Sequence, residues 1–117
     1  MDEEELKRRT KRFALQIMAL VESLPNTQVG RAIGSQLVRS ATSLGANYRA
    51  ACRGRSKAEF SAKLGTVEEE ADESGYWMEL IIEGKLMEEE RVMPLLREAN
   101  EIAAIMAASR KTMARRR

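Results

Sequence analysis

Residues 33–51 read IGSQLVRSATSLGANYRAA, and this stretch decides the fold. Apolar or small side chains recur in it at steps of three and four, at Ile33, Leu37, Ser40, Leu44, Asn47 and Ala51. An α-helix turns once in about 3.6 residues, so this spacing keeps one face of a helix against a partner. The stretch therefore predicts a packed helix rather than a strand, whose side chains would alternate with a period of two.

The same spacing recurs on both sides of this stretch. It is interrupted at Pro25, Gly54 and Gly84, and Ser56 with Glu59 forms a capping box that opens a helix. These signals predict helices at about 3–24, 28–53, 57–83 and 88–113, the last with a seam at Val92, Leu95, Ala99, Ile102, Met106, Ser109 and Met113. Short connections make sequential helices antiparallel neighbours. The 117-residue chain is therefore predicted to be all-α, a single up-down-up-down antiparallel four-helix bundle over residues 1–117.

Pro94 leaves two possibilities for the fourth helix. A proline removes a backbone donor and disturbs a helix interior. Either the helix starts near Met93, or it starts earlier and kinks at the proline.

Composition excludes several classes of function. Histidine is absent and there is one cysteine, so Ser–His and Cys–His catalysis are excluded and no intrachain disulfide can form. The acidic run at 68–73 invites a di-iron centre, but that centre needs Glu-x-x-His pairs. We therefore expect a non-enzymatic protein with no metal and no cofactor.

The start of the chain and its hydropathy bear on location. Met1–Glu5 is acidic, unlike the basic start of a signal peptide. The longest uncharged runs are about half the ~20 residues that span a bilayer. With its single reduced thiol, the chain is expected to be cytoplasmic.

A few polar residues lie on predicted inner faces. They are Ser40, Asn47 and Ser74, and we expect them to hydrogen-bond within the bundle and to fix the register of its helices. Cys52 has no neighbouring base, so we expect a buried, inert thiol.

The second helix carries more uncharged surface than one partner requires. Beside its seam runs a second stripe, Gly34, Val38, Ala41, Gly45, Tyr48 and Cys52. Together the two span about 180°, where a little over ~100° is enough for an amphipathic helix. Two interpretations stay open: burial between two neighbouring helices, or a subunit interface that includes Val38, Ala41 and Tyr48.

The third helix adds candidates for the same interface. Tyr76, Trp77 and Leu80 lie outside its seam and are candidate subunit anchors, unless Trp77 folds back over the bundle. In an antiparallel hairpin, two pairs of glycines also fall at matched levels, Gly34 with Gly75 and Gly45 with Gly65. Glycine is costly in a helix interior, so these pairs predict a close approach of the second and third helices.

Charge is segregated along the chain. Residues 25–55 contain five basic residues and no acidic one, whereas residues 56–84 contain two basic and eight acidic residues. One interpretation is charge complementarity between neighbouring helices, within or between subunits. The alternative is a nucleic-acid interface, because a row of arginines can track a phosphate backbone. Its candidate residues are Arg31, Arg39, Arg49, Arg53 and Arg55, with a second basic group at Arg110, Lys111 and Arg115–Arg117.

A longer pattern resembles a known bacterial family. The block RSATSLGAN at 39–47 is followed by Ser56, Glu59-Phe60, Lys63-Leu64-Gly65, Glu68–Glu70, Glu73 and Tyr76-Trp77. From about residue 13 to 107 the chain is similar to the proteins first found encoded in intervening sequences of 23S rRNA genes, the so-called S23 family. One departure is Tyr48–Arg53, which lacks the acidic residue many members carry near Ala50 or Ala51. That makes the second helix more basic here.

The resemblance implies a compact four-helix bundle and, in relatives, ring-shaped homopentamers. A distant relative is the accessory protein of diversity-generating retroelements, which assists a reverse transcriptase and has a basic surface. The resemblance implies no catalytic residues. Two functions stay open: a non-enzymatic homo-oligomer that binds RNA, DNA or a nucleic-acid enzyme, or a protein–protein interaction module with no affinity for nucleic acid.

Overall fold

Residues 1–115, which the computed structural model describes, form an all-α bundle. The helices are α1 (Glu3–Glu22), α2 (Gln28–Cys52), α3 (Lys57–Glu83) and α4 (Glu89–Arg115). They lie antiparallel in sequence order, and the molecule measures 49 × 21 × 20 Å. The predicted fold class is confirmed, and the helix ends lie within two residues of the predicted ones.

Side-chain caps explain where the first three helices begin. The Asp2 carboxylate, the Thr27 hydroxyl and the Ser56 hydroxyl each accept a hydrogen bond from the backbone N–H three residues on, at 2.8, 3.1 and 3.1 Å. Each therefore satisfies a donor that the first helical turn leaves free. The predicted capping box is only half formed, since Glu59 accepts from the backbone N–H of Arg55 at 3.4 Å.

The end of α3 is closed by a backbone motif. Leu86 N–H donates to the carbonyl of Ile81 at 2.9 Å, and Lys85 N–H donates to that of Ile82 at 3.1 Å. This Schellman pattern needs a left-handed residue, and Lys85 adopts it with φ 56°. The chain thereby reverses within a few residues and starts α4.

The structure shows that α4 contains its proline. The helix begins at Glu89 and continues through Pro94, so the possibility of a start near Met93 was wrong. The predicted seam was also wrong at one position, because Leu96 is in the core and Leu95 is half-buried. Leu96 packs against α3 at Gly75, where an added Cβ would lie at the ordinary contact distance of 3.5 Å from Leu96 Cδ1.

The core runs along the bundle axis and contains one polar pair between helices. Ser40 Oγ and Ser74 Oγ lie 2.8 Å apart, both fully buried. Each Oγ also lies within hydrogen-bond distance of a carbonyl of its own helix, at Leu37 and Glu70; since two hydroxyl protons serve these three contacts, one serine donates to the other, which donates to its own carbonyl. Asn47 donates to the Ser43 carbonyl at 2.9 Å. The expected local hydrogen bonds are therefore confirmed, and the serine pair links α2 to α3.

The predicted close approach of α2 and α3 is confirmed, since they are the most closely packed pair of helices, but the four glycines do not line that contact. Gly34 faces Val21 and Gly45 faces the Thr10 backbone, both on α1. Gly65 and Gly75 face α4. These glycines lie at matched levels, but they point away from the α2–α3 contact, toward the outer helix on each side.

Candidate nucleic-acid interface

The predicted row of arginines on α2 does not form one surface. Arg31 donates to the side-chain oxygen of Asn26 at 3.0 Å, at the far end of the bundle from Arg49. Eighteen residues separate Arg31 and Arg49, about 27 Å along a helix. Arg55 is exposed in the turn before α3. Arg49 and Arg53 are the members of the row that the fold brings together with other cations.

Arg39 belongs to the contact between α2 and α3. Its guanidinium pairs with Glu73 and lies 3.5 Å from the Glu70 carboxylate. The hydrogen bond that Arg39 donates to Glu73 raises the pKa of Arg39. Burial acts to raise the pKa of Glu73, but hydrogen bonds from Arg39 and Trp77 outweigh it and the pKa is lowered. For Arg39, the interpretation as charge complementarity between neighbouring helices within the chain is confirmed.

A cluster of cations lies instead between α1 and α2. We call it the basic groove; its basic residues are Lys7, Arg8 and Lys11 from α1 with Arg49 and Arg53 from α2. The groove encloses about 290 Å³. Antiparallel packing brings the first half of α1 beside the last turns of α2. The cations come from about one helical turn of each helix, so they converge on one depression.

The basic groove is an electrostatic exception in the bundle. Arg9 joins α1 to α4 through Glu98 at 2.7 Å, and Arg110 joins α4 to α3 through Glu68 at 2.6 Å. Within residues 1–115, no ion pair crosses from α1 to α2. Like charges face each other there instead, an arrangement that an anion would relieve.

Carboxylates from the first turn of α1 partly compensate the groove. Glu4 is the one acidic residue of the described chain that lines it. Lys7 Nζ lies 3.4 Å from Glu4 and 3.5 Å from Glu3. The hydrogen bond that Lys7 donates to Glu4 raises the pKa of Lys7. These pairs lie within α1, so they leave Arg8, Lys11 and the α2 arginines facing solvent.

A second depression adjoins the basic groove. It encloses about 220 Å³ and shares three groove residues, Lys7, Lys11 and Arg49. Its remaining lining is small and mostly apolar: Thr10, Ala14, Thr42, Gly45 and Ala46. We call it the small-residue depression. Gly45 contributes to it, because a Cβ there would lie 3.5 Å from the Thr10 carbonyl oxygen and the missing side chain leaves that space open.

Sequence reasoning missed the α1 half of the groove. Residues 1–24 contain equal numbers of acidic and basic residues, so their net charge gave no signal. The usable signal was position: Lys7, Arg8 and Lys11 lie outside the seam of α1, and an antiparallel partner places them beside Arg49. The second predicted basic group is dispersed, since Arg110 pairs with Glu68 while Lys111 and Arg115 are exposed. Arg116 and Arg117 lie outside the described residues.

The predicted interface residues divide by burial. Ala41 and Tyr48 lie in the core of the single chain, 0% and 3% exposed, so the subunit-interface prediction was wrong for both. The reason is that α1 covers this side of α2. Val38 and Leu80 are half-buried.

The aromatic pair on α3 is only partly covered. Trp77 packs against the core and donates to Glu73 at 3.3 Å, whereas Tyr76 is 53% exposed and meets Trp77 edge to face. Leu15 and Met18 on the outer face of α1, which the sequence did not single out, are 56% and 44% exposed. These two are better interface candidates than the buried α2 stripe.

Cys52 is half-buried, and burial raises the pKa of its thiol. A raised pKa disfavours the nucleophilic thiolate. Across residues 1–115, no three acidic or cysteine side chains are grouped as metal ligands would be, and no helix is long and apolar enough to cross a membrane.

The comparisons with known proteins agree on one family. The family model for the 23S rRNA-intervening sequence protein matches residues 3–108. A crystal structure from Bacteroides thetaiotaomicron, described as a protein with unknown function from the S23 ribosomal protein family, superposes with a TM-score of 0.87 at 32% identity. The superposition covers 95% of this chain and 99% of that one. No curated protein matches the chain. The chain belongs to the 23S rRNA-intervening sequence protein family.

Proposed function

We propose that this protein is a non-enzymatic accessory factor that binds nucleic acid through the basic groove. The observation that carries the proposal is the convergence of Lys7, Arg8 and Lys11 on Arg49 and Arg53, without an ion pair across the α1–α2 contact in residues 1–115. Elsewhere in the bundle, arginines between helices are matched with carboxylates. A cluster left unmatched is suited to an external anion, and phosphate contacts supply most of the affinity of nonspecific nucleic-acid binding.

The chemistry of the groove favours backbone contacts over base reading. Arginine offers a planar fork of donors that matches phosphate, and lysine acts as a point charge. Among residues 1–115, no aromatic side chain lines the groove. The resemblance to an accessory protein that assists a reverse transcriptase points in the same direction, since that relative has a basic surface.

The test is fluorescence anisotropy with a labelled single-stranded RNA and its DNA counterpart. We expect binding that weakens as salt rises, and we expect Arg49→Gln with Arg53→Gln to weaken it for all sequences. Each lost phosphate contact should flatten the logarithmic salt dependence by about 0.7–1. Arg49→Gln alone is also compared with its matched control Arg31→Gln, which removes the same single charge from the other end of the same helix.

Two results would overturn the proposal. One is the absence of binding to either oligonucleotide at low salt. The other is an equal loss in the Arg31→Gln control, which would make the effect one of net charge rather than of the groove.

A second candidate function rests on a different surface. We propose that the chain also self-associates, with Leu15 and Met18 on α1 as contacts and a homopentamer as the state the resemblance implies. Light scattering coupled to size exclusion should give a multiple of 13.2 kDa. Leu15→Gln with Met18→Gln should reduce that mass, whereas Val29→Gln, equally exposed on α2, should not. A monomer at tens of micromolar would refute self-association and leave the groove proposal intact.

A further inference from the structure

We infer that the basic groove recognises a terminal phosphate of a nucleic-acid strand rather than the phosphates of its interior. The inference rests on the proposed function and names the part of the nucleic acid that the groove would hold. It starts from the arrangement of the cations. The sequence predicted a row of arginines along α2, whereas the structure groups cations of α1 and α2 around one depression.

The cations of the groove are concentrated in space. Lys7 and Lys11 lie one helical turn apart, as do Arg49 and Arg53, which is about 6 Å along each helix. They surround a single depression of about 290 Å³. The other α2 arginines do not extend it, because Arg39 is paired with Glu73 and Arg31 lies about 27 Å away.

This concentration fits a compact anion of high charge. An internal phosphodiester carries one negative charge, and successive charges are spread along the strand. A terminal phosphate monoester carries about −1.5 to −2 at pH 7 and has three acceptor oxygens. Two arginine forks and two lysines around one depression can supply charge-assisted hydrogen bonds to such a group from both sides.

The small-residue depression provides room beside the phosphate. It shares Lys7, Lys11 and Arg49 with the groove, so a nucleoside there would be directly attached to a phosphate in the groove. Its two hydroxyls already donate to backbone carbonyls, Thr10 to Leu6 and Thr42 to Val38. With those donors occupied and the other lining residues small, the depression would accept a terminal nucleoside of any base.

Glu4 supplies a readout that a purely structural role of the groove would not give. Its carboxylate lines the groove and pairs with Lys7, so it competes with a phosphate for the same cation. Glu4→Gln should therefore increase affinity for the phosphorylated end. If these cations served only to hold α1, losing the Lys7 pair should leave affinity unchanged.

The experiment compares three oligonucleotides of one sequence, labelled internally: one with a 5′-phosphate, one with a 3′-phosphate and one with hydroxyls at both ends. At near-physiological salt, we expect at least one phosphorylated strand to bind about ten-fold more tightly than the hydroxyl strand, which corresponds to one charge-assisted hydrogen bond. Arg49→Gln with Arg53→Gln should abolish the preference, and Arg31→Gln should keep it. Competition by a free nucleoside triphosphate then shows whether the same site also takes a nucleotide without a strand.

The outcomes separate this inference from the proposed function. Equal binding of all three strands would overturn the terminal-phosphate inference and leave nucleic-acid binding standing. If no strand binds, the proposed function fails, and this inference, which rests on it, fails with it.

Discussion

The two flanks of α2 meet their neighbours in opposite ways. Against α3, Arg39 faces Glu70 and Glu73, and the buried hydroxyls of Ser40 and Ser74 meet. Against α1, Gly45 lies beside the Thr10 backbone while basic residues face basic residues. The arginine at the α2–α3 contact is paired with carboxylates of the chain, whereas no ion pair within residues 1–115 crosses the α1–α2 contact. The first arginine therefore stabilises the fold, and the arginines at the second contact are available to a ligand.

Helical geometry explains how one basic helix serves both purposes. Arg39 and Arg49 lie ten positions apart, which is a rotation of about 80° after whole turns are removed. That angle is enough to direct one side chain toward α3 and the other toward α1. Net charge counted along the sequence therefore predicts neither surface, because the partner helix decides what each arginine meets.

The largest expected effect on stability comes from placing like charges across the α2–α3 contact, as they already are across the α1–α2 contact. Glu73→Lys places a cation opposite Arg39 and removes the acceptor of the Trp77 indole. We expect the free energy of unfolding to fall by about 1.5 kcal/mol, a value held down by the solvent exposure of the pair. Urea denaturation measures it. Glu79→Lys, on the exposed face of the same helix, should have little effect, and an equal loss there would contradict the comparison.

The next effect concerns the buried serine pair. Ser40→Ala and Ser74→Ala should each lower the free energy of unfolding by about 1 kcal/mol, the usual net value of a hydrogen bond. Because the Ser40–Ser74 hydrogen bond is lost in either single variant and is counted twice in their sum, the double variant should lose less than the sum. A double-mutant cycle by urea denaturation gives this coupling. A coupling of zero would mean that the pair does not stabilise the α2–α3 contact.

The sequence predicted the helices better than it predicted their faces. The spacing of Leu37 and Leu44 and the cap at Ser56 are local signals, and local signals set helix type and ends. Whether Leu95 or Leu96 enters the core depends on how α4 packs against α3, where Leu96 meets Gly75. The basic groove likewise needs two helices at once. Burial of Ala41 and Tyr48 could not be read from α2 alone, since both stripes of that helix are uncharged.

A smaller effect on stability is expected from adding a carboxylate that can pair with a cation across the α1–α2 contact. Lys11→Glu places a carboxylate opposite Arg49, and both residues line the same depression. We expect Tm to rise by about 2 °C at low salt, with the gain lost at high salt because exposed charges are screened. The same substitution beside Arg49→Gln should bring no gain. A fall in Tm at low salt would show that the facing cations are not a strain on this contact.

The smallest expected effect is a pH dependence of the folding stability that comes from the α2–α3 contact. The pKa of Glu73 is lowered in the folded protein: burial opposes this, but hydrogen bonds from Arg39 and Trp77 outweigh it. A carboxylate whose folded pKa is lowered contributes stability that is fully present above its unfolded pKa of about 4.3 and is lost as pH falls through the folded value. Wild type should therefore lose slightly more stability than Glu73→Gln between pH 7 and pH 3. Urea denaturation at both pH values measures the difference, and it should shrink when Arg39→Gln is the background, where the Trp77 hydrogen bond still lowers the pKa of Glu73. A difference of the opposite sign would mean that burial, rather than Arg39, controls Glu73, and that the α2–α3 contact is less well matched than its geometry indicates.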